Sequence, residues 1–246
     1  MTKTAFITGI TAGFGQAAAR LFVRDGWTVI GTGRRQDRLD ALAAELGGGL
    51  RTTRLDMRDP EALRRAAAEA GDVDLLVNNA GLAPPLESLH EADLGELTNV
   101  IDTNVTGLVT LTHALLPGII RRKGAIINLS SVSATYPYRG GAVYGGTKAF
   151  VRQLSLDLRC DLHGTGVRVT SIEPGMAETE FTVVRNHGDR AASDALYADM
   201  NPMTAEDIAG MIHWIATLPP HLNINTIEPM PVNQSFAGFA VARPGS

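Results

Sequence analysis

Short apolar runs of five or six residues alternate along this chain with longer stretches in which apolar residues recur every three or four positions. Residues 3–8, 28–33, 50–55 and 73–77 are rich in Val, Ile, Leu and Thr, and they predict strands. The intervening segments, QAAARLFVRDG, residues 36–46 and residues 60–70, carry helical spacing. Four strand–helix alternations in the first 80 or so residues predict a parallel sheet with right-handed crossovers. The pattern continues with a helix over 94–116, a strand over 124–129, a helix from Val143 onward and a strand over 167–172. A helix over 204–218 follows, with Thr204 as its cap and Asp207 in its first turn, and then a last strand over 224–227. The predicted class is α/β: a doubly wound parallel sheet flanked by helices, in a single domain over residues 1–246.

Three stretches depart from this rhythm. Asn104 sits beside a glycine inside the helix over 94–116, in DTNVTG, where its poor helix propensity predicts a role or a kink. Residues 176–203 show no clear strand, and so long a connection predicts a lid over a site. The tail over 229–246 carries Phe236 and Phe239 among small residues, a composition suited to docking on a neighbouring subunit.

Composition narrows the partners. The chain has 246 residues, 44% hydrophobic and 20% charged, with 22 basic against 26 acidic side chains and a net charge of −4. Nothing there calls for nucleic acid or an anionic membrane. No apolar run is expected to approach the roughly 18 residues of a membrane span, and the opening MTKTAFITG reads as a first strand, not a leader. The lone Cys160 cannot form an internal disulfide and is expected to be a packed helix residue in a reducing cytoplasm. No metal is expected.

The chemistry lies at the ends of the strands. Gly9, Gly13 and Gly15 follow the first strand and open a helix, an arrangement that lets backbone amides cradle phosphate. Arg34 and Arg35 follow the second strand, where a carboxylate would face a ribose 2′-hydroxyl; two guanidinium forks suit a 2′-phosphate, so NADP is the expected cofactor. The alternative is that both simply form a solvated helix start. Asp56 ends the third strand, where it could accept from an adenine amino group, cap the next turn, or do both. The fifth strand delivers Ser131 to the same edge. Tyr144 lies thirteen residues on, and Lys148 one helical turn beyond it. A lysine beside a phenol would lower its pKa towards useful acid–base chemistry. The same pair could be an ordinary amphipathic-helix neighbourhood with a half-buried Tyr.

Six motifs stand in order: Thr8-Gly9-x-x-x-Gly13-x-Gly15, Asn78-Asn79-Ala80-Gly81, Asn104, Ser131, Tyr144-x-x-x-Lys148 and Pro174-Gly175-x-x-x-Thr179. Together they resemble the short-chain dehydrogenases/reductases over essentially the whole chain. The resemblance implies a Rossmann-type fold, nicotinamide-dependent oxidoreduction and a homodimer or homotetramer. It also implies a catalytic set of Asn104, Ser131, Tyr144 and Lys148. The implied cofactor contacts are Gly9, Thr11, Gly13, Phe14, Gly15, Arg34, Arg35, Asp56, Met57, Asn78, Ala80, Gly81, Tyr144, Lys148, Pro174, Gly175, Met176 and Thr179. The segments TAGFG, TGRRQDRL, TYPYRGGAVYGGTKAFVRQLSLDLR and NINTIEPMPVNQSFAG are similar to the NADP-dependent 3-hydroxy acid dehydrogenase branch, to which sulfoacetaldehyde reductases are also similar. That branch implies a small anionic alcohol or aldehyde as substrate, of the serine, allo-threonine or 3-hydroxypropionate type. Ser131, Tyr144, Arg139 and Arg185 are its expected contacts. A broad carbonyl reductase, or a non-catalytic NADP-binding sensor on the same fold, stays open.

Overall fold

In the computed structural model, which describes residues 2–236 and 241, seven parallel strands form one sheet. They are β1 (Thr4–Thr8), β2 (Thr28–Gly33), β3 (Leu50–Arg54), β4 (Leu75–Asn78), β5 (Ala125–Leu129), β6 (Arg168–Ile172) and β7 (Thr226–Ile227). Their order across the sheet is β3-β2-β1-β4-β5-β6-β7. This is the doubly wound Rossmann-like arrangement. The chain winds outward from β1 to β3, returns, and winds the other way from β4, so the crevice between β1 and β4 is the switch point where such folds bind ligands.

Strand alternation explains why the apolar runs are continuous. Ala5, Ile7, Leu75, Val77 and Ile127 enter one core while Phe6, Leu76 and Ile126 enter the other, so both faces of the sheet are covered. On one face Phe22 of α1 (Gly13–Arg24) packs with Ile208 and Ile212 of α9 (Ala205–Thr217). On the other, Leu63 of α3 (Pro60–Ala70) packs with Leu111, Leu115 and Ile119 of α5 (Leu108–Arg122). Each such side chain contributes about 1.5–3 kcal/mol by leaving water. Helix α9 starts as expected: Thr204 Oγ1 accepts from the Asp207 amide at 3.1 Å, and Asp207 Oδ2 accepts from the Thr204 amide at 2.8 Å.

The long middle helix differs from expectation in two ways. It breaks into α4 (Leu94–Ile101), a π-helical turn over Asp102–Gly107 that holds Asn104, and α5, which runs through Pro117 to Arg122. Leu94–Arg122 also contains an 18-residue stretch apolar enough to cross a membrane, with a mean hydropathy of 1.2, although the sequence suggested no such run. Half of it is buried inside the protein, and the apolar character comes from a core face plus a second, outer apolar face. The connection over 176–203 holds two short helices, α7 (Glu180–Arg185) and α8 (Arg190–Tyr197), started by Thr179 and Asp189. At six and eight residues they are too short for periodicity to reveal. Cys160 is exposed on α6 (Ala142–Asp161), not packed as expected, because its position near the helix end turns away from the sheet.

Candidate active site

A cleft of about 690 Å³ opens beyond the C-terminal ends of β1, β4, β5 and β6. Its floor at one end is the glycine turn. Gly9 has φ +74°, and its amide donates to the Thr32 carbonyl at 2.8 Å, a bend that favours glycine. A Cβ on Gly15 would stand 2.4 Å from the Gly9 carbonyl oxygen, so this glycine keeps the turn closed against α1. Helix α1 begins after Ala12 with no side-chain cap, leaving its first amides to an external acceptor. Thr8 Oγ1 accepts from the Asn79 and Ala80 amides, each at 2.9 Å, which ties this turn to the one after β4. An uncapped helix N-terminus over a glycine cradle fits a dinucleotide pyrophosphate.

The two arginines after β2 both line the cleft but differ in their partners. Arg34 is exposed, lines the cleft and makes no hydrogen bond or ion pair among the described residues. Arg35 donates from Nε and Nη2 to Thr11 and from Nη1 to Glu180 Oε2 at 2.9 Å. Asp56 lines the cleft too, with its carboxylate taken by the Arg58 guanidinium and amide, and that hydrogen bonding holds it below the usual carboxylate range.

At the other end stands a buried cluster on β5, α6 and the π turn. Lys148 Nζ donates to the Leu129 carbonyl at 2.7 Å and lies 5.7 Å from the centre of the Tyr144 ring. Ser130 Oγ donates to the Lys148 carbonyl at 2.8 Å. The Asn104 amide donates to the Leu82 carbonyl and to Thr147 Oγ1, and its oxygen accepts from the Leu82 amide. Asn104 thus pins the loop after β4 to α6. Tyr144, Lys148, Ser131 and Asn104 are each less than a tenth exposed.

The expected tuning of the phenol is absent from this geometry. Burial raises the Tyr144 pKa well above its ordinary value, helped by Tyr138; the Arg185 charge and a hydrogen bond with Ser131 act in the opposite direction. Lys148 bears a cost of its own, because burial pulls its ammonium from 10.5 down to about 8. Spacing along the helix predicts the two neighbours correctly, but the desolvation of each arises only once the fold encloses them.

The family model described as short chain dehydrogenase matches residues 3–190. The chain belongs to that family. A serine 3-dehydrogenase of Rhizobium radiobacter is 59% identical, with 99% of each chain covered. A sulfoacetaldehyde reductase of Chromohalobacter salexigens is 51% identical over 99% of this chain and all of its own. A solved structure, the closed form of a serine dehydrogenase complexed with NADP+, superposes with a TM-score of 0.93 at 49% identity, covering 98% of this chain and 99% of that one.

Within this short-chain dehydrogenase, Gly9, Thr11, Gly13, Phe14, Met57, Ala80, Gly81, Pro174, Gly175, Met176 and Thr179 line the cleft, as do Ser131 and Arg185. Four expected residues do not. Gly15 packs behind the turn, Asn104 lies behind Thr103, and Asn78 is buried with its amide donating to Thr112 and Asn128. Asn79 lines the cleft in place of Asn78, because adjacent residues leaving a strand face opposite ways. Arg139 is exposed outside the cleft: the chain turns at Gly140, φ +78°, and the neighbouring Tyr138 lines the cleft instead.

Of what α7 and the tail contribute, Arg185 was expected and stands beside the phenol, whereas Phe181 and Gln234 carried no signal in the sequence. The Phe181 ring sits 5.9 Å from that of Tyr144, and the Arg185 guanidinium lies 5.6 Å from the same ring centre. Arg185 is steered there by the Pro84 carbonyl at 3.0 Å and the Tyr138 hydroxyl at 3.2 Å. Gln234 lines the cleft and accepts from the Met176 amide at 2.7 Å, while its buried Nε2 has no partner among the described residues. Phe236 stacks on Tyr136 at 5.5 Å, and Phe239 lies outside the described residues.

Proposed function

We propose that this single-domain protein is an NADP-dependent oxidoreductase. It interconverts a small 3-hydroxy acid, of the serine, allo-threonine or 3-hydroxypropionate type, with the corresponding aldehyde or ketone. The observation that carries this reading is one cleft with a free guanidinium, Arg34, at the phosphate end and a phenol flanked by a serine, a lysine and Arg185 at the other.

When bound, the nicotinamide gives or takes the hydride; the rest falls to this chain. Gly9, Gly13 and the uncapped amides of α1 would hold the pyrophosphate, and Arg34 would meet the 2′-phosphate. Ser131 donates to the substrate oxygen and fixes its direction. Tyr144 gives that oxygen a proton during reduction and receives one during oxidation. A phenol is protonated at neutral pH, the state required for carbonyl reduction, and burial moves this one further in that direction. Lys148, held by the Leu129 carbonyl, places a positive charge beneath the ring, and that charge favours phenolate whenever the proton leaves. Arg185 binds the acid group, and Phe181 keeps water from the phenol.

A sulfonate suits the same guanidinium, and a sulfoacetaldehyde reductase is among the similar proteins, so sulfoacetaldehyde is the second substrate to test. We further propose a homotetramer or homodimer in the cytoplasm, with neither nucleic acid nor membrane as partner. Leu94, Ile101, Val109 and Ile120 on α4–α5 and Phe150 on α6 form apolar surface that a second copy would cover; a monomer by light scattering would contradict this. The lone free thiol suits a reducing compartment.

The test is a panel of 3-hydroxy acids, semialdehydes, sulfoacetaldehyde and uncharged aldehydes assayed with both nicotinamide cofactors. Turnover with NADP(H) and anionic substrates well above that with uncharged ones is expected. No turnover at all would leave the sensor as the better reading, and equal turnover of charged and neutral aldehydes would leave the broad carbonyl reductase.

A further inference from the structure

Helix α7 is joined to the cofactor end of the cleft by one carboxylate. Glu180, its first residue, accepts from Arg35 Nη1 at 2.9 Å and from Arg38 Nη1 at 2.6 Å through the same oxygen. Both arginines also reach the glycine turn: Arg35 donates to Thr11 Oγ1 and O, and Arg38 to Thr11 O at 3.3 Å. Hydrogen bonding to Arg38, then to Arg35, holds the Glu180 carboxyl below its ordinary pKa, so it is ionised at neutral pH. Further along the same helix, Phe181 and Arg185 lie over the Tyr144 ring. The helix therefore bridges the two ends of the site, anchored at its first turn by charge and at its middle by Thr182 Oγ1 on Tyr197 Oη, 2.6 Å away.

Arg34 and Arg35 both line the cleft and Arg38 lies outside it, but Arg35 uses all three of its nitrogens on Thr11 and Glu180, whereas Arg34 has no partner among the described residues. We propose that Arg35 and Arg38 are positioning residues that, with Glu180, latch α7 over the catalytic phenol, leaving Arg34 as the reader of the 2′-phosphate. This rests on the cleft taking NADP, and it divides the labour of two adjacent arginines that the sequence treats as equivalent. A carboxylate shared by two guanidinium groups is compatible with a nearby phosphate only if those cations stay between them.

Three variants separate the roles. Glu180→Gln keeps the shape and removes the charge; Arg38→Ala acts from outside the cleft; Arg34→Ala removes the reader. Affinity for NADP is measured by calorimetry with no substrate present, amide exchange is followed over residues 180–197, and KM for a 3-hydroxy acid is compared with kcat. Glu180→Gln and Arg38→Ala are expected to keep NADP affinity within about twofold and to speed exchange in α7. Their loss should appear as a rise of about fivefold in KM for the acid, the scale of a partly exposed ion pair. Arg34→Ala is expected to weaken NADP about tenfold or more, with α7 exchange unchanged. If Glu180→Gln instead tightened NADP several-fold, Arg35 would be a phosphate reader held off by Glu180, and the latch would be overturned. Unchanged exchange and KM in both latch variants would overturn it equally. If Arg34→Ala and the double Arg34→Ala, Arg35→Ala variant both bound NADP like the wild type, the cofactor reading itself would fail, whatever the latch does.

Discussion

The two sides of the cleft are built to different standards of rigidity. On the β5–α6 side, Ser131, Tyr144, Lys148 and Asn104 are buried, and neighbouring hydrogen bonds close on one another: Lys148 to Leu129, Ser130 to Lys148, Asn104 to Thr147, and Thr147 to the Tyr144 carbonyl. On the α7 side, a six-residue helix carries Glu180, Phe181 and Arg185, with the Glu180 side chain 29% exposed and its ion pairs at the surface. The first side is held to one arrangement because Lys148, Ser130, Asn104 and Thr147 would each lose a buried partner if they moved. The second can open at small cost, since partly exposed ion pairs are worth about a kilocalorie per mole or less. Proton transfer needs fixed geometry, whereas recognising and admitting an acid needs a part that moves.

The comparison breaks most visibly at the phenol. Tyr144→Phe keeps the ring and its contacts with Phe181 and removes only the proton carrier. Turnover should fall about 10²–10⁴-fold while the variant folds and binds NADPH. Retention of more than a tenth of wild-type turnover would place the acid–base group elsewhere.

Lys148 sharpens the rigid side through pH. Its ammonium titrates at about 8 when folded against 10.5 ordinarily, so between these values the unfolded chain binds more protons than the folded one, and stability rises with pH. The penalty of burying the charge is present in full below about pH 8 and gone above about 10.5. Denaturant unfolding of the cofactor-free protein should therefore show wild type gaining on the order of 3 kcal/mol on Lys148→Met between about pH 7 and pH 10.5. A pH-independent difference between the two proteins would mean that Lys148 is hydrated and the rigid side is not dry.

What could be read from the sequence follows the same division. The 3.6-residue period by itself puts Tyr144 and Lys148 one turn apart, and the ends of apolar strands place Ser131 and Gly9 on one edge. The odd propensity of Asn104 in DTNVTG marked the π turn. Loops and long-range partners were opaque. Which of Tyr138 and Arg139 enters the cleft depends on a positive φ at Gly140, and the partner of Arg35 lies 145 residues away. The phenol's raised pKa was unreadable because desolvation depends on what the fold lays over it, here α7.

The most direct test of the division between chemistry and recognition is Arg185→Ala, assayed on malonic semialdehyde and on propanal, which carries a methyl group in place of the carboxylate. The expected result is a loss of kcat/KM of about tenfold or more on the acid, the value of a charge-assisted contact, and a change within about twofold on propanal. Equal losses on the two substrates would contradict it, because Arg185 would then be supporting the Tyr144 ring and not reading the anion.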